Sequence, residues 1–187
     1  FNNFPRSRIR VTGFPQWDHY LDPVWVMSRE EFAKKFHIDP SKKWITYFAG
    51  GLMTGLFNIP DKGDHVLMLK KAIEDGRIKD AMVLIRTHPG HQDIMTPEAK
   101  VFHNLDFAKG WTFDQEDMRM LANLVRHSDV TINLGSTMSL EAAIFDKPTV
   151  LIAFGREGRK KTPWHLRLST ALDSSLHFVY VMNTGGN

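Results

Sequence analysis

Apolar, β-rich runs recur along this chain and are separated by segments with helical spacing. Residues 44–48 and 81–85 are two such runs, and the second is continuously apolar, which is typical of a strand covered on both faces. Residues 130–134 and 149–154 form two further runs. The pattern predicts a strand at each of these four positions, the last of them buried.

The intervals between the predicted strands carry apolar residues on one helical face. These residues are Val66, Leu69 and Ile73 in the first interval and Met118, Leu121 and Val125 in the second. A third helix is predicted from residue 135 to about residue 145, before the helix-ending sequence Asp146-Lys147-Pro148. The βαβαβ alternation predicts an α/β fold, a doubly wound parallel sheet (Rossmann-like) with helices on both faces. Ligands of this class bind beyond the carboxyl ends of the strands.

The N-terminal residues do not follow this alternation, and we interpret residues 1–40 as a connector and interdomain segment. Residues 8–15 predict a short strand that runs into a Gly-Pro turn. Ser28 and Glu31 have the spacing of a capping box and predict a short helix that ends at about Phe36.

Composition supports one globular domain after the connector, over residues 41–187. The chain of 187 residues is 42% hydrophobic and 24% charged, a balance that allows a proper core. No apolar run reaches the roughly 20 residues that a membrane helix needs. The net charge of +3 is spread among nearly equal numbers of acids and bases, so we predict no nucleic-acid partner. The one dense basic cluster is expected to be a solvated loop and comprises Arg156, Arg159, Lys160 and Lys161.

The ends of the sequence and its lack of cysteine indicate its context. Phe1 stands where a methionine would open a protein, and residues 183–187 form a polar tail, so we expect both ends to be cuts in a longer chain. Cysteine is absent, which rules out disulfides and thiolate metal sites and fits a reducing compartment. We expect a cytoplasmic protein, and peripheral association of a full-length chain with a membrane surface stays open.

The strand-to-helix turn at residues 133–143 is the strongest candidate for a binding site. The amides of a helix's first turn and the hydroxyls of Ser136 and Thr137 form a ready phosphate site, and Gly135 permits close approach of the backbone. The alternative is that these residues only cap the helix and turn the chain. Glu141 follows Thr137 by one helical turn, where its carboxylate can bind ribose hydroxyls. A solvated Glu141 is the alternative interpretation.

A second candidate follows the strand over residues 81–85. Arg86 and His88 lie at its end and can face a diphosphate, while Pro89 stiffens the turn. His88 can also donate a hydrogen bond to a phosphate oxygen or protonate a leaving group, which makes it the candidate catalytic residue. A structural histidine at a strand end is the alternative, and no other catalytic residue is assigned.

Glycines and histidines elsewhere give weaker signals. Gly50 and Gly51 follow the first strand and can admit a phosphate or a moving acceptor loop, although a diglycine is also an ordinary turn. The chain has neither the Gly-x-Gly-x-x-Gly dinucleotide pattern nor a Gly-Lys-Ser/Thr phosphate loop, which disfavours nicotinamide and P-loop chemistry. The scattered histidines lack the spacing of metal ligands, so we predict no metal site and no cofactor.

Several short motifs of this chain occur together in one class of enzymes. They are Val11-Thr12-Gly13-Phe14-Pro15 with Asp18, Arg86-Thr87-His88-Pro89, Ser128-Asp129-Val130, Gly135-Ser136-Thr137, Glu141-Ala142 and Pro148-Thr149-Val150. From about residue 8 to about residue 155, the chain resembles the C-terminal domain of GT-B-fold glycosyltransferases. Within that class, the His-Pro turn and the Ser-Asp-Val strand are similar to those of CDP-glycerol glycerophosphotransferases and capsule polysaccharide enzymes. The Gly-Ser loop also resembles that of non-hydrolysing UDP-GlcNAc 2-epimerases.

Two departures limit what the resemblance implies about the substrate. Glycerophosphotransferases usually have Asp-Tyr-Ser-Ser where this chain has Leu134-Gly135-Ser136-Thr137, so their substrate is not carried over. The epimerases usually read Gly-Asn, or Gly-Ser-Ser followed by Gly, and Met138 departs from that pattern.

The resemblance implies that residues 41–187 bind the nucleotide diphosphate of a donor substrate. The expected activity is transfer of a sugar or polyol-phosphate group from that donor in surface polysaccharide or glycan synthesis, with no metal required. The acceptor, and often the catalytic base, would lie on an N-terminal domain that is absent from this sequence. The implied donor contacts are Arg86, His88, Ser136, Thr137 and Glu141.

Two alternatives to the transferase remain. On the same fold, epimerisation of a nucleotide sugar needs acid and base groups that face the sugar and no separate acceptor. From another class, a non-catalytic flavodoxin-like interaction module would bind a protein or a phosphorylated ligand through its strand-end loops. The phosphoacceptor version of such a module also needs an acidic residue at a strand end, whereas the predicted strand ends carry Gly or Arg-Thr-His.

Overall fold

A computed structural model of the chain describes residues 5–49, 62–88, 99–102, 114–133 and 136–151. These residues contain five strands, which we number β1 (Lys43–Phe48), β2 (Ala81–Arg86), β3 (Lys100–Phe102), β4 (Val130–Asn133) and β5 (Thr149–Leu151). They form one sheet in the order β3-β2-β1-β4-β5, in which all neighbours are parallel. The predicted doubly wound parallel sheet is confirmed.

The strand order identifies the class of doubly wound fold. From β1 the chain first builds β2 and β3 on one side and then crosses over to build β4 and β5 on the other. This is the Rossmann order, whereas flavodoxin-like proteins have the order 2-1-3-4-5. The described sheet therefore lacks the topology of the flavodoxin-like alternative.

Strand β1 is the centre of the sheet and fixes the register of both halves. It pairs with β2 from Lys43 opposite Ala81 to Phe48 opposite Arg86. On its other side it pairs with β4, where Tyr47 lies opposite Ile132. The reversal of strand order falls between β1 and β4, and ligands of open α/β sheets bind in the crevice beyond the carboxyl ends at such a point.

Helices cover both faces of the sheet, as predicted. They are α1 (Arg29–Phe36), α2 (Lys62–Glu74), α3 (Gln115–His127) and α4 (Met138–Ile144). Helix α2 packs on one face through Val66, Leu69 and Ile73, against Tyr47, Val83 and Ile85. Helices α1 and α3 pack on the other face through Phe32, Ala33, Met120 and Leu124, against Trp44, Leu84 and Phe102. Within the described ranges no helix has the length and apolar character to cross a membrane.

Local capping signals set the helix boundaries. Ser28 Oγ accepts a hydrogen bond from the Glu31 amide at 3.1 Å, and the Ser28 amide donates to Glu31 Oε2 at 2.8 Å, so the predicted capping box begins α1. Gly76, two residues after the end of α2, has a φ of +71° in the left-handed region, where glycine carries no steric penalty.

Two predictions about strands are wrong. Residues 8–15 do not form a strand. The connector instead contains short 3₁₀ turns, and Pro15–Leu21 and Pro23–Trp25 each begin with a proline, whose fixed φ suits the first position of a turn. The strand at 149–154 was predicted to be buried, yet Val150 and Leu151 are 49% and 37% exposed; residues 152–154 lie outside the described residues. Among the described strands, β5 is at the edge and pairs with β4 alone.

Much of the predicted connector packs against α3 of the domain. The Asn123 side chain donates to the Trp25 carbonyl at 2.8 Å and accepts from the Met27 amide at 2.8 Å. One helical turn away, Arg126 Nη2 donates to the Tyr20 carbonyl at 2.7 Å. The domain limits at residues 40 and 41 stay a prediction, but the segment from Tyr20 to α1 is held to the domain by α3.

Candidate functional site

The structure places two of the predicted site segments at the carboxyl edge of the sheet. Arg86 ends β2, and His88 follows it. Ser136 and Thr137 lie between the end of β4 and the start of α4. The predicted glycines Gly50, Gly51 and Gly135 lie outside the described residues.

Arg86 forms a buried ion pair with an acid that the sequence interpretation missed. Its Nη2 donates to Asp117 Oδ2 at 2.6 Å, and the two side chains are 6% and 10% exposed. Asp117 lies in the first turn of α3, on the same helical face as the buried Met120 and Leu124. The position of Asp117 on this apolar face was the signal in the sequence that it pairs with a buried group, since an acid on the apolar face of a helix needs a buried partner.

Glu141 is buried and bound to a residue from the connector. The Tyr20 hydroxyl donates to Glu141 Oε2, and the two residues are 4% and 7% exposed. The alternative interpretation of a solvated Glu141 is therefore wrong. Tyr20 also stacks on Phe145, just after α4, with ring centroids 5.7 Å apart.

Two opposing influences act on the Glu141 carboxyl. Burial raises its pKa above the usual value, while the hydrogen bond from Tyr20 and the positive charge of Arg86 lower it. Burial and the neighbouring Glu141 charge in turn raise the pKa of the Tyr20 hydroxyl, so that it stays a donor. Arg86, Asp117, Tyr20 and Glu141 thus form one electrostatically linked cluster, which we call the buried polar cluster.

Asn133 holds the approach to α4 in place. It is fully buried, its Oδ1 accepts from the Ser136 amide at 3.0 Å, and its Nδ2 donates to Ser139 Oγ at 3.0 Å. Asn133 and Ser139 therefore bridge the turn on which Ser136 lies. Neither was predicted as a site residue, because the sequence does not show which way a strand-end amide points.

The two predicted phosphate hydroxyls have different local roles. Ser136 Oγ accepts a hydrogen bond from the Met138 amide at 3.3 Å, so a capping contribution applies to Ser136. Thr137 stands at the N-cap position of α4, but its side chain makes no capping hydrogen bond and is exposed. The capping interpretation therefore does not account for Thr137.

His88 is half-buried beside a well-fixed backbone segment. The preceding residue, Thr87, donates to the Phe102 carbonyl from its amide at 3.1 Å and from its hydroxyl at 3.3 Å. These contacts tie the end of β2 to the end of β3 and fix where His88 leaves the sheet. Among the described residues, no group of three or more His, Asp or Glu side chains is arranged to hold a metal ion.

Solved structures with the same architecture include several of the wall teichoic acid polymerase TagF. One TagF variant aligns with a TM-score of 0.52 at 17% identity, over 85% of this chain and 36% of that chain. A TagF variant soaked with CDPG aligns with a TM-score of 0.50 at 19% identity, over 88% of this chain and 36% of that one. A UDP-GlcNAc 2-epimerase from Neisseria meningitidis bound to UDP-GlcNAc aligns with a TM-score of 0.46 at 14% identity, over 90% of this chain and 43% of that chain.

The likeness to TagF confirms the predicted fold. The chain has the Rossmann-like fold of one half of a GT-B architecture, and it spans 36% of the length of the TagF chains just described. At identities of 17% and 19% the likeness concerns the fold alone. No protein-family model matches the sequence, and no curated protein matches it.

Proposed function

We propose that this chain binds the nucleoside diphosphate of an activated donor, as the donor-binding domain of a transferase. The transferred group would be a sugar or a polyol phosphate, in surface polysaccharide or glycan synthesis. The observation that carries the proposal is the convergence of polar segments from β2 and β4 on the carboxyl edge where the strand order reverses. Doubly wound sheets bind their ligands at this switch point.

The diphosphate and the ribose of the donor each have candidate partners among the described residues. The hydroxyls of Ser136 and Thr137 would donate to diphosphate oxygens, whose negative charge makes such bonds stronger than neutral ones. Glu141 would accept hydrogen bonds from ribose hydroxyls. His88 would face the diphosphate as a donor or as the acid that protonates the leaving group.

Arg86 contributes to this site through the buried polar cluster. Because its guanidinium is buried and paired with Asp117, its positive charge would act on the ligand and on Glu141 as a fixed field. In an interior of low dielectric constant, such a field is stronger than the same charge in water.

Titration calorimetry with UDP, CDP and GDP tests donor recognition directly. We expect at least one diphosphate to bind, and to bind more tightly than its nucleoside. CDP-glycerol is the first activated donor to test, because a TagF variant was soaked with CDPG and the sequence resembles the glycerophosphotransferases. No heat with any diphosphate at about 1 mM, equivalent to binding weaker than about 4 kcal/mol, would contradict the proposal. Deuterium at C2 of UDP-GlcNAc after incubation in heavy water would instead indicate epimerisation.

Thr137→Ala is the sharpest variant for the phosphate contact, because the Thr137 side chain makes no capping hydrogen bond. We expect weaker binding of the diphosphate by about 1.5–3 kcal/mol, the usual range for a hydrogen bond to a charged group, with little change for the bare nucleoside and unchanged stability. Ser136→Ala serves as the comparison, because it also removes the hydrogen bond that Ser136 Oγ accepts from the Met138 amide. Glu141→Ala should weaken nucleoside and diphosphate alike, and equal losses for both ligands in Thr137→Ala would contradict a phosphate contact.

A further inference from the structure

Tyr20 links the predicted connector to the candidate donor site. It belongs to the 3₁₀ turn Pro15–Leu21, yet its hydroxyl donates to Glu141 Oε2 across a sequence separation of 121 residues. Both residues are buried. The carboxylate that we assign to ribose therefore already has a fixed partner within the chain.

Contacts other than Glu141 hold the Tyr20 ring in place. The ring stacks on Phe145 at an interplanar angle of 20°. Arg126 Nη2 donates to the Tyr20 carbonyl at 2.7 Å, and the Arg126 guanidinium carbon lies 4.6 Å from the centre of the Phe145 ring. The hydroxyl is thus presented to Glu141 by packing and by backbone contacts, so the carboxylate meets a donor of fixed position.

The charges around Glu141 and its partner Tyr20 come from two elements, β2 and α3. Arg86, at the end of β2, favours the ionised carboxylate. Asp117, in α3, is paired with Arg86 and offsets part of that effect. Arg126, also in α3, borders Tyr20. Because burial raises the pKa of Glu141, the hydrogen bond from Tyr20 and the charge of Arg86 are the two influences that support the ionised carboxylate.

We propose that Tyr20 is a positioning residue for the donor site, whose hydroxyl orients the Glu141 carboxylate toward the ribose of the bound nucleotide. The proposal rests on the proposed role of Glu141 in donor binding. Under this proposal, part of the connector contributes to nucleotide binding.

Tyr20→Phe in the full 187-residue chain tests this role, because it keeps the ring on Phe145 and removes only the hydroxyl. We expect nucleoside diphosphate affinity to fall about tenfold or more, the usual range for a lost hydrogen bond to a charged group. The pH at which binding is lost should also rise. The hydrogen bond lowers the pKa of Glu141, so without it the carboxylate becomes protonated, and stops accepting ribose hydroxyls, at a higher pH.

Two further variants separate positioning from general damage to the fold. Tyr47→Phe is the matched control, since Tyr47 is also buried and its hydroxyl contacts His65 Nδ1 at 3.2 Å on the α2 face; it should leave the pH profile of binding unchanged. In a Glu141→Gln background, Tyr20→Phe should have little further effect. If Tyr20→Phe fails to fold, Arg126→Met can be used instead, because it removes the hydrogen bond to the Tyr20 carbonyl. This variant should also raise the pH at which binding is lost.

The outcomes distinguish this inference from the proposed function. If the wild-type chain binds a diphosphate and Tyr20→Phe binds it with the same affinity and pH profile, the positioning role is overturned while the proposed function stands. Tighter binding by Tyr20→Phe also overturns it, because Tyr20 would then compete with the ligand. A wild-type chain that binds no diphosphate overturns both.

Discussion

Breaking the ion pair between Arg86 and Asp117 should cost far more stability than breaking the ion pair beside it in sequence. Asp117→Ala leaves the Arg86 guanidinium buried without this carboxylate, which costs about 3–5 kcal/mol when a buried pair is broken. Urea denaturation measures the loss as a change in the free energy of unfolding. A change no larger than that of an exposed ion pair would contradict the burial argument.

The neighbouring pair of Lys35 and Glu116 is the matched control. Its nitrogen and oxygen are 2.8 Å apart, but the side chains are 43% and 64% exposed. Solvent screens such a pair and the two side chains lose conformational freedom, so Glu116→Gln should leave the urea midpoint unchanged.

The buried Glu141 carboxyl should make stability depend on pH in a specific direction. Burial raises its pKa in the folded state, so the folded chain retains the proton to higher pH than the unfolded chain does. The stabilisation from this retained proton is therefore fully present at pH values below the Glu141 pKa of the unfolded chain. It is lost as the pH rises through the Glu141 pKa of the folded chain. Urea unfolding from about pH 4 to about pH 8 should show the wild-type chain losing stability relative to Glu141→Gln. Parallel profiles for the two proteins would contradict this linkage.

Among the helices, α1 offers the clearest test of a local signal. Ser28→Ala removes the side-chain half of the capping box and should cost about 1 kcal/mol, whereas Ser28→Gly should cost only about a few tenths of that. Urea midpoints of the two variants measure the difference. Any nucleotide binding should be unchanged in both, since the proposed site lies at the carboxyl edge of the sheet. Equal losses for Ala and Gly would contradict the capping assignment.

Elements with local signals could be predicted from the sequence. The capping box at Ser28 and the glycine at Gly76 involve residues a few positions apart, so their spacing is visible without a fold. The buried runs that became β1 and β2 are similarly self-contained, because continuous apolar sequence is what a doubly covered strand requires.

The candidate site was only partly predictable because its contacts join distant segments. The candidate residues at the strand ends could be proposed because the fold class dictates where ligands bind. The bond from Tyr20 to Glu141 spans 121 residues, and that from Arg86 to Asp117 spans 31; neither has a local spacing that reveals it. The exposure of β5 likewise depends on which strands lie beside it.

For the whole molecule, the packed connector predicts that truncations on either side of Tyr20 will differ. Val11 is 96% exposed and residues 9–14 are all exposed, so deletion of residues 1–14 should leave Tm nearly unchanged. Deletion of residues 1–26 also removes Tyr20 and should lower Tm by roughly 10 °C, because a lost buried aromatic costs about 3–5 kcal/mol and each kcal/mol shifts Tm by about 2–4 °C. Thermal unfolding by circular dichroism measures both. Similar Tm values for the two truncations would contradict the structural role of Tyr20.

The order of the strands also has a consequence for how the molecule folds. Strands β1 and β2 are joined through α2, so their contacts link segments that are near each other in the sequence. Strand β4 pairs with β1 across a much longer stretch of chain: the Trp44 amide donates to Asp129, 85 residues away. Closing longer loops costs more entropy and slows folding. We therefore expect the β1-α2-β2 unit to form early and β4 to dock late. The crevice between β1 and β4, where we propose that the nucleotide binds, would then form only at the last stage, so a folding intermediate would lack the proposed site.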